Sequence, residues 1–260
     1  VSSATARVDV VPVVVDPAFT PTAVAVTANT HVGLAPGEGD AIYASTYLGE
    51  ALNGASRDGV YRLRPDGSLD TSFAVPGRRV LPPLHVAVDG SVYALEDVAS
   101  LNESGSRLRR ISASGVIDPV FGPHFTASYE VRRAAVVASG HVIAAGGFTH
   151  VNGVDRAGMV RIFPNGTVDT SYAPPAGINV ADAAILADGS AVVVLNENGQ
   201  YVVRRLQPSG PLDPAFSPVD LGANSHRPSI ERLADGSFLV LGSFATANGE
   251  VRGGCARILA

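Results

Sequence analysis

Short apolar runs alternate with tight polar turns along almost the whole chain. Val86-Ala87-Val88 and Val92-Tyr93-Ala94-Leu95 flank Asp89-Gly90 in one instance. Asp-Gly between apolar runs is a strong local hairpin signal, because glycine accepts positive φ without steric cost. Turns of this kind fall at Gly37-Glu38-Gly39, Asp89-Gly90, Ser139-Gly140, Asp188-Gly189 and Asp235-Gly236. A second set falls at Asp66-Gly67, Ser114-Gly115, Asn165-Gly166 and Ser209-Gly210. Between the two sets lies a variable polar loop, usually with Asn-Gly: Asn53-Gly54, Asn152-Gly153, Asn198-Gly199 and Asn248-Gly249. No run of helical period is long enough to predict a helix. The pattern predicts strands a, b, c and d in an antiparallel meander, written several times over.

The repeat is clearest from Tyr61 to Phe73 and again from Val160 to Tyr172, with looser copies from Arg110 to Phe121 and Arg205 to Phe216. Its Asp-x-x-aromatic ending recurs at Asp16/Phe19, Asp70/Phe73, Asp118/Phe121, Asp169/Tyr172 and Asp213/Phe216, in steps of 54, 48, 51 and 44 residues. Periods of roughly 40 to 50 residues with several strands each mark propeller blades. The last c strand, residues 255–259, ends the chain with no d strand after it, and the missing one is found at Val13 to Phe19. The expectation is an all-β, five-bladed β-propeller of four-stranded antiparallel blades. It is closed by the N-terminal d strand pairing with the C-terminal a, b and c strands. The blades are expected at about residues 20–73, 74–121, 122–172, 173–216 and 217–260 plus 13–19. Closure removes edges that invite aggregation. Residues 1–12 read as a linker or the remnant of a preceding immunoglobulin-like domain; the alternative makes residues 6–11 a sixth c strand.

Composition narrows the class. The chain has 260 residues, enough for one large domain, and Gly 28 and Pro 18 suit many short strands and turns. A net charge of -5 argues against nucleic acid and anionic membranes as partners. All 19 basic residues are arginine. Cys255 is the only cysteine, so no internal disulfide forms. No apolar run approaches the ~20 residues of a membrane helix. The chain opens on Val with no signal peptide, which is read as a piece of a longer protein.

The repeat resembles the delta-60 repeat of bacterial propeller-like proteins. Residues Ala134 to Tyr172 match that pattern through Ala144-Ala145-Gly146-Gly147-Phe148, Asn152-Gly153, Arg156 and Asp169. Residues Leu233 to Ile258 match through Leu241-Gly242-Ser243-Phe244, Asn248-Gly249 and Arg252. The second and fourth copies lack the Gly-x-Phe end of strand b and the Arg after the loop. The resemblance implies a propeller-like fold and an extracellular or cell-surface, multidomain setting, with no settled activity.

Residues that recur in every copy are needed by the copy; residues that depart are free for a local task. Arg62/Asp70, Arg110/Asp118, Arg161/Asp169 and Arg205/Asp213 keep a spacing of eight. They read as structural pairs locking a hairpin or joining blades. The recurring aromatics read as packing between blades. Histidines 31, 85, 124, 141, 150 and 226 show no metal-pair spacing, and no metal or cofactor is expected. No nucleophile elbow, phosphate loop or calcium loop occurs. The candidate ligand-binding residues lie on the d-to-a connections, which crowd one mouth of the channel: Arg78, Arg79, Tyr129, Glu130, Arg132, Arg133, His226, Arg227, Glu231 and Arg232, with Asp182 nearby. Their mixed charge suits a polar or anionic ligand. The expected function is a non-catalytic interaction or scaffold module of a larger secreted or surface bacterial protein. It would bind another protein or an extracellular polar ligand, with no nucleic acid and no membrane insertion. One alternative is a propeller hydrolase or lyase using Tyr129, Glu130, Arg132, His226 and Glu231 at the mouth. The other is a carbohydrate-binding module, against which the absence of Trp weighs.

Overall fold

The structure is a computed structural model that describes residues 23–24, 33–46, 51–52, 55–56, 59–73, 75, 80–98, 105–126, 131–222 and 228–259. The expected closing strand 13–19 and residues 1–12 lie outside the described residues. The first repeat supplies β1 (Ala23–Val24), β2 (Gly33–Pro36), β3 (Ile42–Thr46), β4 (Ala51–Leu52), β5 (Ala55–Ser56) and β6 (Gly59–Leu63). The second supplies β7 (Val80–Val86), β8 (Val92–Asp97), β9 (Ser106–Ile111) and β10 (His124–Thr126). The third supplies β11 (Val131–Val136), β12 (Val142–Gly146), β13 (His150–Val151), β14 (Val154–Asp155) and β15 (Met159–Ile162). Then come β16 (Val180–Ile185), β17 (Ala191–Glu197), β18 (Gln200–Leu206) and β19 (Val219–Asp220). The fifth supplies β20 (Ser229–Arg232), β21 (Phe238–Leu241), β22 (Thr246–Ala247), β23 (Glu250–Val251) and β24 (Cys255–Ile258).

These strands form five antiparallel meanders, β2-β3-β6, β7-β8-β9, β11-β12-β15, β16-β17-β18 and β20-β21-β24. Inner strands of successive meanders touch: β2 with β7, β7 with β11, β11 with β16, and β16 with β20. The only helical element among the described residues is a 3-10 turn at Glu38–Asp40.

Two turn chemistries set the register. In the inner hairpins at Asp89-Gly90 and Asp188-Gly189 only the glycine is left-handed, Gly90 at φ 76 and Gly189 at φ 88. The preceding aspartate instead accepts a backbone N–H, Asp89 Oδ1 from Ser91 at 2.9 Å and Asp188 Oδ1 from Ser190 at 2.9 Å. In the hairpins joining middle to outer strands, both residues are left-handed: Asn152 (φ 51) with Gly153 (φ 76), and Asn248 (φ 50) with Gly249 (φ 80). That is the two-residue turn whose twist matches a hairpin, and Asn tolerates it better than other side chains.

The core lies between meanders. One apolar layer joins Tyr43, Val60 and Phe73 to Val80, Val92 and Ile111. Similar layers join the second meander to the third, the third to the fourth and the fourth to the fifth. A middle strand is therefore buried on both faces, and Ala191 to Leu195 are all buried. Burial on both faces is why the strands read as continuous apolar runs, not as strict alternation.

The expected fourth strand is shorter than the repeat suggested. It survives as single bridges: Leu63↔Leu69, Ile111↔Ile117, Ile162↔Val168 and Leu206↔Leu212. The aspartate one residue later explains this. Asp70 N–H still donates to Arg62 O at 2.8 Å, but Asp70 Oδ1 then accepts Ser72 N–H at 3.0 Å and turns the chain away. The outer edges are finished by other pieces. β10 pairs with β9 and receives the β13–β14 arm of the next meander. β19 pairs with β18, and the β22–β23 arm reaches it through Asn248. β1 pairs with β4 of the first meander's arm in the same manner.

Candidate functional site

The inner strands carry a charged network at the end where middle strands pass to outer ones. β11 and β16 each bulge after their first residue, between Val131 and Arg133 and between Val180 and Asp182. A bulge re-aims the side chain that follows it. Arg133 Nε donates to Asp182 Oδ1 at 2.8 Å, and Arg133 Nη2 donates to Asp182 Oδ2 at 3.1 Å. Arg133 also pairs with Glu231 of β20. Asp182 is buried and accepts two backbone N–H groups besides, from Ile230 at 3.0 Å and from Ala183 at 2.9 Å. One carboxylate thus ties three meanders together. The Asp182 and Glu231 carboxylates raise the pKa of the Arg133 guanidinium above its ordinary value. In the same inner layer, His85 Nε2 accepts Val136 N–H at 3.2 Å, and burial lowers the His85 pKa.

Beside this network a cleft of about 810 Å³ opens between the third, fourth and fifth meanders. Arg132, Phe148, Asn179, Asn196, Tyr201 and Ser229 are among its lining residues. Each sits at a strand end or within two residues of one, so rigid sheet holds the polar groups in place.

The sequence-derived candidates divide. Arg132 lines the cleft, and Arg133 and Glu231 form the network. These residues and Asp182 lie in strands β11, β16 and β20, not in the connections where they were expected; Arg133 and Asp182 follow the bulges of β11 and β16. Arg232 is exposed at the opposite end of β20, beside the Asp235-Gly236 turn. Arg78, Arg79, Tyr129, Glu130, His226 and Arg227 lie outside the described residues. Asn196 and Tyr201 were not singled out. Their only signal was the short hairpin of the fourth copy.

The repeated Arg-Asp residues form one latch several times over. Arg62 Nε donates to Asp70 Oδ2 at 2.8 Å, Nη1 donates to Ala113 O of the next meander at 2.9 Å, and the guanidinium lies 5.2 Å from the Phe73 ring centre. Arg110 pairs with Asp118, donates to Pro164 O at 3.1 Å and covers Phe121. Arg161 donates to Asp169 at 2.7 Å and to Pro208 O at 2.9 Å, and covers Tyr172. Arg205 and Asp213 are looser, at 3.7 Å. The Asp70, Asp118 and Asp169 carboxylates are held acidic. The Ser72 hydroxyl, with Arg62, takes Asp70 down to about 2, and Arg110 takes Asp118 down to about 2. In the fifth meander Arg257 turns to its own hairpin and pairs with Asp235. No group of three potential metal ligands occurs among the described residues.

A family model described as a domain of unknown function (DUF5122) beta-propeller matches residues 45–73 and 138–172. No curated protein matches in sequence. Among solved structures, a catalytically inactive virginiamycin B lyase from Staphylococcus aureus with quinupristin is similar at TM-score 0.54 and 16% identity, over 93% of this chain and 74% of that one. A streptogramin B lyase is similar at 0.52 and 17% identity, over 93% and 74%. The PQQ-bound aldose sugar dehydrogenase of Streptomyces coelicolor is similar at 0.50 and 18% identity, over 93% and 86%. The chain has the β-propeller fold. Likeness at this level of identity carries architecture and not chemistry.

Proposed function

We propose that the chain is a non-catalytic interaction module that binds a protein or polar ligand through the cleft at Asn196 and Tyr201. In this reading the five meanders form a five-bladed ring closed by residues 13–19 on β24. The ring is one domain of a longer secreted or surface bacterial protein. The charge distribution at the cleft carries the reading. Arg133, Asp182 and Glu231 are committed to one another. The wall beside them offers Asn179, Asn196, Tyr201 and Ser229. These uncharged donors and acceptors on strand ends, with Phe148 and the Arg132 guanidinium in the same lining, suit a peptide loop or another polar ligand.

The test uses the full chain on peptide and glycan arrays, compared with Asn179→Arg/Ser229→Arg, which crowds the cleft from two exposed positions. The expected result is array binding that drops at least tenfold in the double variant. Binding indifferent to the double variant, or none on either array with the protein folded, would reject the proposal.

A further inference from the structure

Strand register fixes one equivalent inner-strand position in all five meanders. Tyr43, Tyr93, Ile143, Val192 and Leu239 each face the repeated arginine of their meander, Arg62, Arg110, Arg161, Arg205 or Arg257. Their partners on the inner strands are Ala35, His85, Ala135, Ala184 and Glu231. Alanine at three of these positions shows that the repeat needs only a small apolar side chain there. His85 and Glu231 depart from it, and both hold the same strand, β11.

The two grips differ in chemistry. From β20, Glu231 pairs with Arg133, whose guanidinium also donates to Asp182 of β16. From β7, His85 Nε2 accepts Val136 N–H at 3.2 Å. Accepting at Nε2 places the proton of the neutral ring on Nδ1, and a protonated ring has no acceptor left. Carboxylates keep their charge through the pH range in which imidazoles gain theirs. The mouth cleft depends on β11, which carries Arg132 and Arg133 of its wall.

The surroundings of His85 offer a cation no partner. β7 packs against β8, β11, β2 and β3. Their titratable and charged side chains are Tyr93, Glu96 and Asp97 on β8, Arg132 and Arg133 on β11, and Tyr43 on β3. The Tyr93 ring lies 6.4 Å from the imidazole, and Glu96 is bonded to Arg109 at 2.6 Å. Arg133 is committed to Asp182 and Glu231. Among the described residues no carboxylate pairs with His85, and burial alone lowers its pKa.

We propose that His85 is a clasp released by mild acid: neutral, it holds β11 against β7, and protonated, it frees the seam between the second and third meanders while the tie among the third, fourth and fifth stays in place. Folding favours the neutral ring. Its contribution is therefore complete above the unfolded histidine pKa of about 6.5, and it fades as pH falls through that value toward the lower folded one.

The experiment is amide hydrogen exchange on the full chain, read by NMR between about pH 7.5 and about pH 5 and corrected for the intrinsic rate at each pH. Val136 N–H is the probe of the seam. Ile230 N–H, which donates to Asp182 at 3.0 Å, is the internal control. The protection of Val136 should fall at least about threefold across this range, with that of Ile230 unchanged. His85→Gln supplies an acceptor that does not titrate, so it should keep Val136 protected at both ends of the range. His85→Ala, the residue of the equivalent positions, should leave Val136 weakly protected at both. The ring signals of His85 should titrate below about pH 6.5 in step with the loss. Val136 protection that does not change with pH, an equal fall in His85→Gln, or a fall shared by Ile230 would overturn the proposal, and the first and last of these need no substitution.

Discussion

The second and third meanders share strand order and the Arg-Asp latch, yet their outer edges differ. At the second, β10 closes the sheet and the next arm closes β10. At the third, β15 ends its sheet, and Met159 N–H donates within the chain to Ala157 O at 2.9 Å. The difference comes from very few residues, because an edge strand here is only two or three residues long. It shows that the repeat encodes the sheets while the connections decide how each edge is finished.

The comparison breaks most visibly at the finished edge. Phe125→Ala should cost about 4 kcal/mol, the usual range for emptying a well-packed aromatic site. Chemical denaturation of the two proteins measures it. A cost below about 1 kcal/mol would mean that β10 contributes little to stability. Next comes the inner tie. Asp182→Ala removes the acceptor of Arg133 and of Ile230 N–H, and should cost about 3 kcal/mol as a broken buried pair. Glu231→Ala, whose side chain is 60% exposed, should cost well under 1 kcal/mol.

The arms sharpen the contrast at smaller scale. Asn152→Gly keeps the left-handed turn but loses bonds to His124 N–H and to Gly166 O at 3.2 Å. The expected loss is about 1 to 2 kcal/mol. Asn198→Gly occupies the same kind of turn in the meander without an arm, and its loss should lie near zero. Equal losses would show that turn conformation, not docking, is what the asparagine supplies.

Acid sensitivity follows from the latches. Asp70 and Asp118 lie near 2 in the fold and near 3.9 in an unfolded chain. A carboxyl lowered on folding stabilises above its unfolded pKa, and that stability fades as pH falls from about 4 through about 2. Asp118→Asn should flatten the stability profile in this window. A profile unchanged by the substitution would detach the latch from acid unfolding.

Much of this was legible along the chain. Turn positions, the spacing of eight between Arg and Asp, and the five-fold writing of the meander follow from local residue chemistry, which the fold keeps. The edge strands were not legible, because His124-Phe125-Thr126 and Val219-Asp220 carry no local strand pattern and form only by pairing across meanders. The fourth strand was overread for the converse reason: Leu69 and Val168 look extended, but the aspartate after each turns the chain. The mouth residues were placed in loops because a bulge has no sequence signature beyond the strand around it.

The smallest effect comes from a buried hydroxyl between the third and fourth meanders. Tyr172 places a hydroxyl where Phe73 and Phe121 have none, and burial pushes it up to about 12. Without an acceptor that hydroxyl is a cost, so Tyr172→Phe should stabilise the chain by about 1 kcal/mol. A variant that is less stable would mean that the hydroxyl has an internal partner, such as a buried water.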